Sequence, residues 1–124
     1  MTMPVTSLKT RITTPRLAET VAWYRDLLSL KVAEEWNEPG DRGCILALPG
    51  TGQEAYLEIC EAAGTADFSG LSLQFRIGDV DAFKAPDEPR FKSRGPVDRP
   101  WGSRYLFFTD PNGIMVVLFS GTSL

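Results

Sequence analysis

Histidine, the side chain best suited to acid–base and metal chemistry near neutral pH, is absent from this chain altogether. Its absence removes the commonest general base and the commonest metal ligand. Histidine-based catalytic triads and HExxH zinc sites are excluded. Of what is left, Glu58 stands out in the run Tyr56-Leu57-Glu58-Ile59-Cys60, whose alternation puts Tyr56, Glu58 and Cys60 on one face of a strand. On a wet face Glu58 is simply solvated. On a cavity face burial would raise its pKa, making it a candidate general base. Cys44 and Cys60 lie symmetrically about Gly52, so they could face one another across a hairpin, as packed thiols or as a redox pair. Trp101, between Pro100 and Gly102, could stack on a planar ligand at a cavity mouth, or anchor a core or a dimer contact. Two charged clusters point in opposite directions. The acidic stretch from Glu34 to Asp41 suits a cationic ligand or a solvated face, whereas Arg90, Lys92, Arg94, Arg99 and Arg104 suit an anionic ligand.

One small domain has to position these residues. The chain has 124 residues, 43% hydrophobic and 23% charged, with 13 Lys plus Arg against 16 Asp plus Glu. A domain of this length buries roughly two-thirds of the surface that its unfolded chain exposes. The longest apolar run, Ile114 to Phe119, is of strand length and far below the ~20 residues of a membrane span. The start, Met-Thr-Met-Pro-Val-Thr-Ser, lacks the basic and apolar segments of a secretory signal, which predicts a cytoplasmic protein with reduced thiols. A net charge of −3 with no strongly basic face argues against a nucleic-acid partner, and no membrane partner is expected.

The hydrophobic pattern predicts a strand over residues 7–13, then Thr14 as an N-cap with Pro15 at the first helical position. Leu17, Val21, Tyr24 and Leu28 make the apolar stripe of a helix ending near Leu28 to Leu30, with Trp23 and Tyr24 as packing residues. Strands are expected over residues 31–36, 44–48 and 55–60, separated by turns at 37–43 and 49–52. Trp36 ends the first of these and reads equally as cavity rim or surface. After the polar connection 64–70 the order restarts with a strand at 71–77 and a short helix at 79–85, stopped early by Pro86 and Pro89. A hairpin of 103–109 with 114–119 follows, around the type I turn Asp110-Pro111-Asn112-Gly113. The restart shows in the residues too: Leu8-Lys9-Thr10-Arg11-Ile12 returns as Leu73-Gln74-Phe75-Arg76-Ile77, three identities in five at an offset of 65.

Three segments carry a family resemblance: Leu17 to Leu28 (LAETVAWYRDLL), Arg76 to Ala82 (RIGDVDA), and Pro100-Trp101-Gly102-Ser103-Arg104 running on to the Asp-Pro-Asn-Gly turn. With the repeated element order, the chain resembles the vicinal oxygen chelate superfamily, which includes glyoxalase I, extradiol dioxygenases, and fosfomycin- and bleomycin-resistance proteins. The Pro-Trp-Gly segment is most similar to bleomycin-resistance proteins. The resemblance covers nearly the whole chain and implies an α+β fold. Its single domain, 1–124, comprises two βαβββ modules (about 5–63 and about 70–121) whose curved mixed sheets surround a cavity.

In metal-dependent members of that superfamily, four inward side chains, typically His or Gln, Glu, His and Glu, hold a divalent ion. The matching positions here are Lys9, Glu58, Ser72 and Val117. Only Glu58 is a credible ligand, because a protonated lysine cannot bind a metal, valine has no donor atom and a neutral serine hydroxyl is a poor one. The resemblance therefore implies no metal and no other cofactor, with a Lys9–Glu58 ion pair in the vacated place. The implied function is metal-independent binding or sequestration of a small aromatic or hydrophobic molecule by a homodimer, with no catalytic residues. Its ligand-binding residues would be Lys9, Arg11, Tyr56, Glu58, Ser72, Gln74, Trp101 and Val117. Arg11 and Gln74 belong to the set because they share strand faces with Lys9 and Ser72. The alternative is a glyoxalase-, isomerase- or dioxygenase-type enzyme with an atypical or absent metal site; a metal-free one would have to work through Glu58, Tyr56 or Lys9. A third reading is a degenerate member whose cavity is filled by its own Met115, Val117 and Phe119.

Overall fold

Alternating apolar residues set the regular structure of this chain mainly as strand, and one segment carries a full helical face. The computed structural model describes residues 2–49 and 55–124. The expected turn at 49–52 and the proposed hairpin centre at Gly52 fall, beyond Pro49, outside the described residues. The chain divides into two compact units, Met1–Ala66 and Asp67–Leu124.

The first unit runs β1 (Leu8–Thr14), α1 (Leu17–Leu28), β2 (Lys31–Glu38), β3 (Asp41–Ala47) and β4 (Ala55–Glu61). Its sheet has the order β1-β4-β3-β2, with β1 parallel to β4 and the other pairs antiparallel. α1 packs on β3 and β4. It buries Thr20, Trp23, Tyr24 and Leu27, while the core below it includes Ile12, Leu46, Leu57 and Ile59. The buried face is thus rotated from the expected stripe: Tyr24 belongs to it, but Leu17, Val21 and Leu28 are only half-buried. Burying the large rings of Trp23 and Tyr24, which meet edge to face at 4.8 Å, outweighs burying the smaller flanking residues. Thr14 is not the N-cap. It ends β1, where its carbonyl accepts the Ala62 N–H at 3.0 Å and its hydroxyl accepts the Arg16 N–H at 2.9 Å. The sheet holds Thr14, so Arg16 takes the cap position and the helix begins at Leu17. Ser29, in the left-handed conformation at φ 56°, closes it.

The second unit runs β5 (Ser72–Arg76), β6 (Arg94–Asp98), β7 (Ser103–Thr109) and β8 (Met115–Gly121), in the order β5-β8-β7-β6 with β5 parallel to β8. The expected helix at 79–85 does not form. Instead the Asp79 carboxylate accepts the Asp81 N–H and the Asp79 carbonyl accepts the Ala82 N–H, making a turn. Beyond Pro86 the only helical piece is a short 3-10 turn, Pro89–Phe91. Val80 and Phe91 are buried there, and Phe83 meets Phe108 edge to face at 6.2 Å. With prolines at 86 and 89, too few residues remain to repay helix nucleation. β6 was not expected. It contains Gly95 and Pro96 and pairs irregularly between Arg94 and Val97, as edge strands tolerate. The Asp110 turn forms as expected: Asp110 O accepts the Gly113 N–H at 3.1 Å, and its carboxylate accepts the Asn112 and Ile114 N–H groups at 2.7 and 2.8 Å. The fold is α+β, two four-stranded mixed sheets with one α-helix. No helix among the described residues is long and apolar enough to cross a membrane.

Candidate functional site

Parallel pairing of β1 with β4 sets Lys9 opposite Tyr56 and Arg11 opposite Glu58. These four share the face opposite to that of Leu57 and Ile59, which point into the core. The Lys9 Nζ lies 3.1 Å from the Glu58 carboxylate and the Arg11 Nε 3.4 Å from it. The Cys60 thiol donates to the same carboxylate at 3.1 Å. The Glu58 side chain is 12% exposed, its two cations 51% and 59%. The thiol's hydrogen bond and then the bond and charge of Lys9, with Arg11 adding to them, hold Glu58 below the ordinary glutamate range against the opposing effect of burial. A carboxylate stabilised in this way is a weaker base than usual, so the raised pKa of a general base is not found. Burial foremost, then the neighbouring Glu58, pushes the Cys60 thiol up, and burial followed by Glu35 does the same for Cys44. Neither thiol is activated as a nucleophile.

The two cysteines do not face each other. Cys44 stands opposite Ile59, and Cys60 opposite Gly43. The register differs by one residue from the symmetric one, which turns the two side chains to opposite faces of the sheet. Both are free and buried. Trp36 lays its ring over Gly43, where an added Cβ would overlap it, and donates from Nε1 to Asp41 at 2.8 Å. On the helix side, an open groove of about 690 Å³ is lined by Leu17, Val21, Arg25, Glu35, Cys44 and Glu61 among others. None of the expected site residues lines it.

In the second unit the register forms two rungs across the sheet. Gln74, Val117, Phe107 and Arg94 make one, and Arg76, Phe119, Tyr105 and Val97 the other. Ser72 belongs to the same face, and Gln74 donates to its hydroxyl at 3.2 Å. The Tyr105 hydroxyl donates to the Gln74 carbonyl oxygen at 3.2 Å. Val117 is buried under its neighbours, a floor rather than a contact. Tyr105 is the hub of an aromatic cluster, with Phe107, Trp101 and Phe119 centred at 5.9, 6.0 and 6.1 Å. Trp101 is 47% exposed. Guanidinium groups lie on these rings: Arg94 over Phe107 at 4.3 Å, Arg99 over Trp101 at 4.7 Å and Arg76 over Phe119 at 4.8 Å. Arg104 points to the other face and binds Asp81 and Asp98 at 2.9 and 3.0 Å. Sequence reasoning named Ser72, Gln74 and Trp101, which the structure brings to this face, but not Tyr105 and Phe107 beside them, and it took Phe119 only as a filler. Their spacing of two in β7 was the available signal, masked because alternating aromatics also describe a core strand.

The positions that the resemblance assigns to metal ligands do not fit a divalent ion. Glu58 already serves Lys9, Arg11 and Cys60, the Ser72 hydroxyl serves Gln74, and Val117 offers no donor. Among the described residues no three Cys, Asp or Glu side chains gather into an ion-binding group.

The family model for the Glyoxalase/Bleomycin resistance protein/Dioxygenase superfamily matches residues 6–118. Among solved structures, the chain is similar to TnmS3, an antibiotic binding protein from Streptomyces sp. CB03234, at 20% identity and a TM-score of 0.73, covering 94% of this chain and 95% of that one. It is also similar to a glyoxylase/bleomycin resistance protein/dioxygenase domain from Frankia sp. EAN1pec, at 18% identity and a TM-score of 0.72, covering 99% and 95%. The fosfomycin resistance protein FosX from Listeria monocytogenes aligns at 13% identity and a TM-score of 0.69, covering 98% and 96%. At such identities the likeness is one of fold. No curated protein matches the chain significantly. With a family match over nearly its whole length and two mixed sheets of the same strand order, the chain belongs to the Glyoxalase/Bleomycin resistance protein/Dioxygenase superfamily.

Proposed function

We propose that this protein binds or sequesters a small aromatic or hydrophobic molecule without using a metal. The observation that carries this reading is the open face of the second sheet. A solvated sheet face normally alternates to polar residues, whereas this one presents Trp101, Tyr105, Phe107 and Phe119, with Trp101 47% and Met115 42% exposed. Ser72 and Gln74 supply the few polar groups that orient a ligand on such a surface, with Val117 beneath them. In the first unit Lys9, Arg11, Tyr56 and Glu58 are the proposed contacts. Glu58 is already neutralised by its two cations, which favours a role in orienting a ligand over one in holding a metal. The likeness to an antibiotic binding protein and to a fosfomycin resistance protein agrees with a small-molecule ligand. On the same reading the protein is a cytoplasmic homodimer with no nucleic-acid or membrane partner.

The test is a thermal-shift screen against planar aromatic compounds. A ligand present at 100 times its Kd stabilises by about 2.7 kcal/mol, which raises the melting temperature by several degrees. Trp101→Ala should weaken any hit by roughly three- to tenfold, the range expected for one lost aromatic contact. A panel without a single stabilising compound, or hits indifferent to Trp101→Ala, would sink the proposal.

A further inference from the structure

Resting on that reading, we infer that the molecule taken by the second sheet's face is a planar aromatic anion. Its ring would lie against Trp101, Tyr105 and Phe107, and its acidic group would be held by Arg94 and Arg99. The first support is the sign of the face. The strand positions pointing to it include Arg76 and Arg94, and none is Asp or Glu. Asp98 lies on β6 but opposes Arg104 and pairs with it on the other side. The acidic stretch that would suit a cation is on the β2–β3 hairpin of the first unit.

The second support is availability. Arg104 is held by two carboxylates, and Arg76 donates to the carbonyls of Gly121 and Ser123. The guanidinium groups of Arg94 and Arg99 have neither a carboxylate nor a hydrogen-bonded carbonyl among the described residues. Each lies over a ring, at 4.3 Å from the centre of Phe107 and 4.7 Å from the centre of Trp101. The Arg99 Nε is buried without a hydrogen-bond partner. A guanidinium held over a ring still has N–H groups to offer, and a carboxylate or phenolate lying beside the same aromatic surface is the partner that suits them. A cation would instead meet two uncompensated like charges.

Three probes of one shape separate the possibilities: 2-naphthoate, neutral 2-naphthalenemethanol and cationic 2-naphthylmethylammonium, titrated calorimetrically into the full chain. The expected order is naphthoate about tenfold tighter than the alcohol, with the ammonium weakest. The double variant Arg94→Gln/Arg99→Gln should erase that preference, and Arg94→Lys/Arg99→Lys should restore it in part, since charge returns without the planar fork. Ala18→Trp, which fills the groove beside α1, should change nothing. Alcohol or ammonium binding as tightly as naphthoate overturns the anionic inference while leaving aromatic binding intact. A preference that survives the double glutamine variant, or is lost in Ala18→Trp, overturns the assigned place. If none of the three probes binds, the proposed function fails together with the inference.

Discussion

Glu58 shows how one side chain's protonation is tied to residues far apart in sequence. Its carboxylate accepts the Cys60 thiol and meets both Lys9 and Arg11, so its folded-state pKa is lowered. A lowered carboxylate contributes stability that is present above the unfolded value of about 4.3 and is lost as pH falls through the folded value. Glu58→Gln should therefore cost little at pH 7, about 1 kcal/mol, because its partners are half-exposed and screened by solvent. The variant should also flatten the acid limb of the stability profile. Urea unfolding of both proteins from neutral pH down into the acid transition reads this directly, and parallel curves would refute the account. The Lys9–Glu58 pair was foreseeable because the family resemblance sets both on the same sheet face. The shares of Arg11 and Cys60 were not, since they depend on the parallel register of β1 against β4. The cysteines teach the same lesson: a hairpin centre misplaced by half a residue sends two thiols to opposite faces.

Among the elements, strands bounded by Gly, Pro and Asp turns were legible, and the Asp110 turn formed with the hydrogen bonds its sequence implies. α1 was legible as a helix but not in its rotation, because Trp23 and Thr20 break the apolar stripe that a simple count favours. The second helix failed for want of residues between Asp79 and Pro86, and β6 stayed hidden because Gly95 and Pro96 look like loop. The β2–β3 hairpin has a less visible requirement. Gly43 is needed for space rather than for conformation, since the Trp36 ring covers it. Gly43→Ala should displace that ring, break its bond to Asp41 and cost about 1–3 kcal/mol, as overpacking does. A lower melting temperature and a red-shifted tryptophan emission would register it. Gly64→Ala has nothing within 4 Å of the added Cβ and should be neutral or slightly stabilising. Equal effects of the two variants would show that Trp36 gives way without cost.

Over the molecule as a whole, charge is distributed against its own total. The chain carries 13 basic and 16 acidic side chains, a net of −3, yet the aromatic face of the second sheet bears arginines and no carboxylate side chains. These two facts predict opposite responses of an anionic ligand to salt. If the net charge governed, salt would screen a weak repulsion and 2-naphthoate would bind more tightly as ionic strength rose. If Arg94 and Arg99 govern from a few ångströms away, salt competes for them and screens them. Binding then weakens severalfold between ~20 mM and ~500 mM, across which the Debye length shrinks from about 20 to about 4 Å. The neutral naphthalene alcohol should be insensitive to the same change, or bind slightly better as salt strengthens apolar burial. The sign of the naphthoate slope therefore separates local arginines from global charge. A flat or rising affinity would mean that stacking on Trp101, Tyr105 and Phe107 holds the ligand and that the arginines above those rings serve only to cover them.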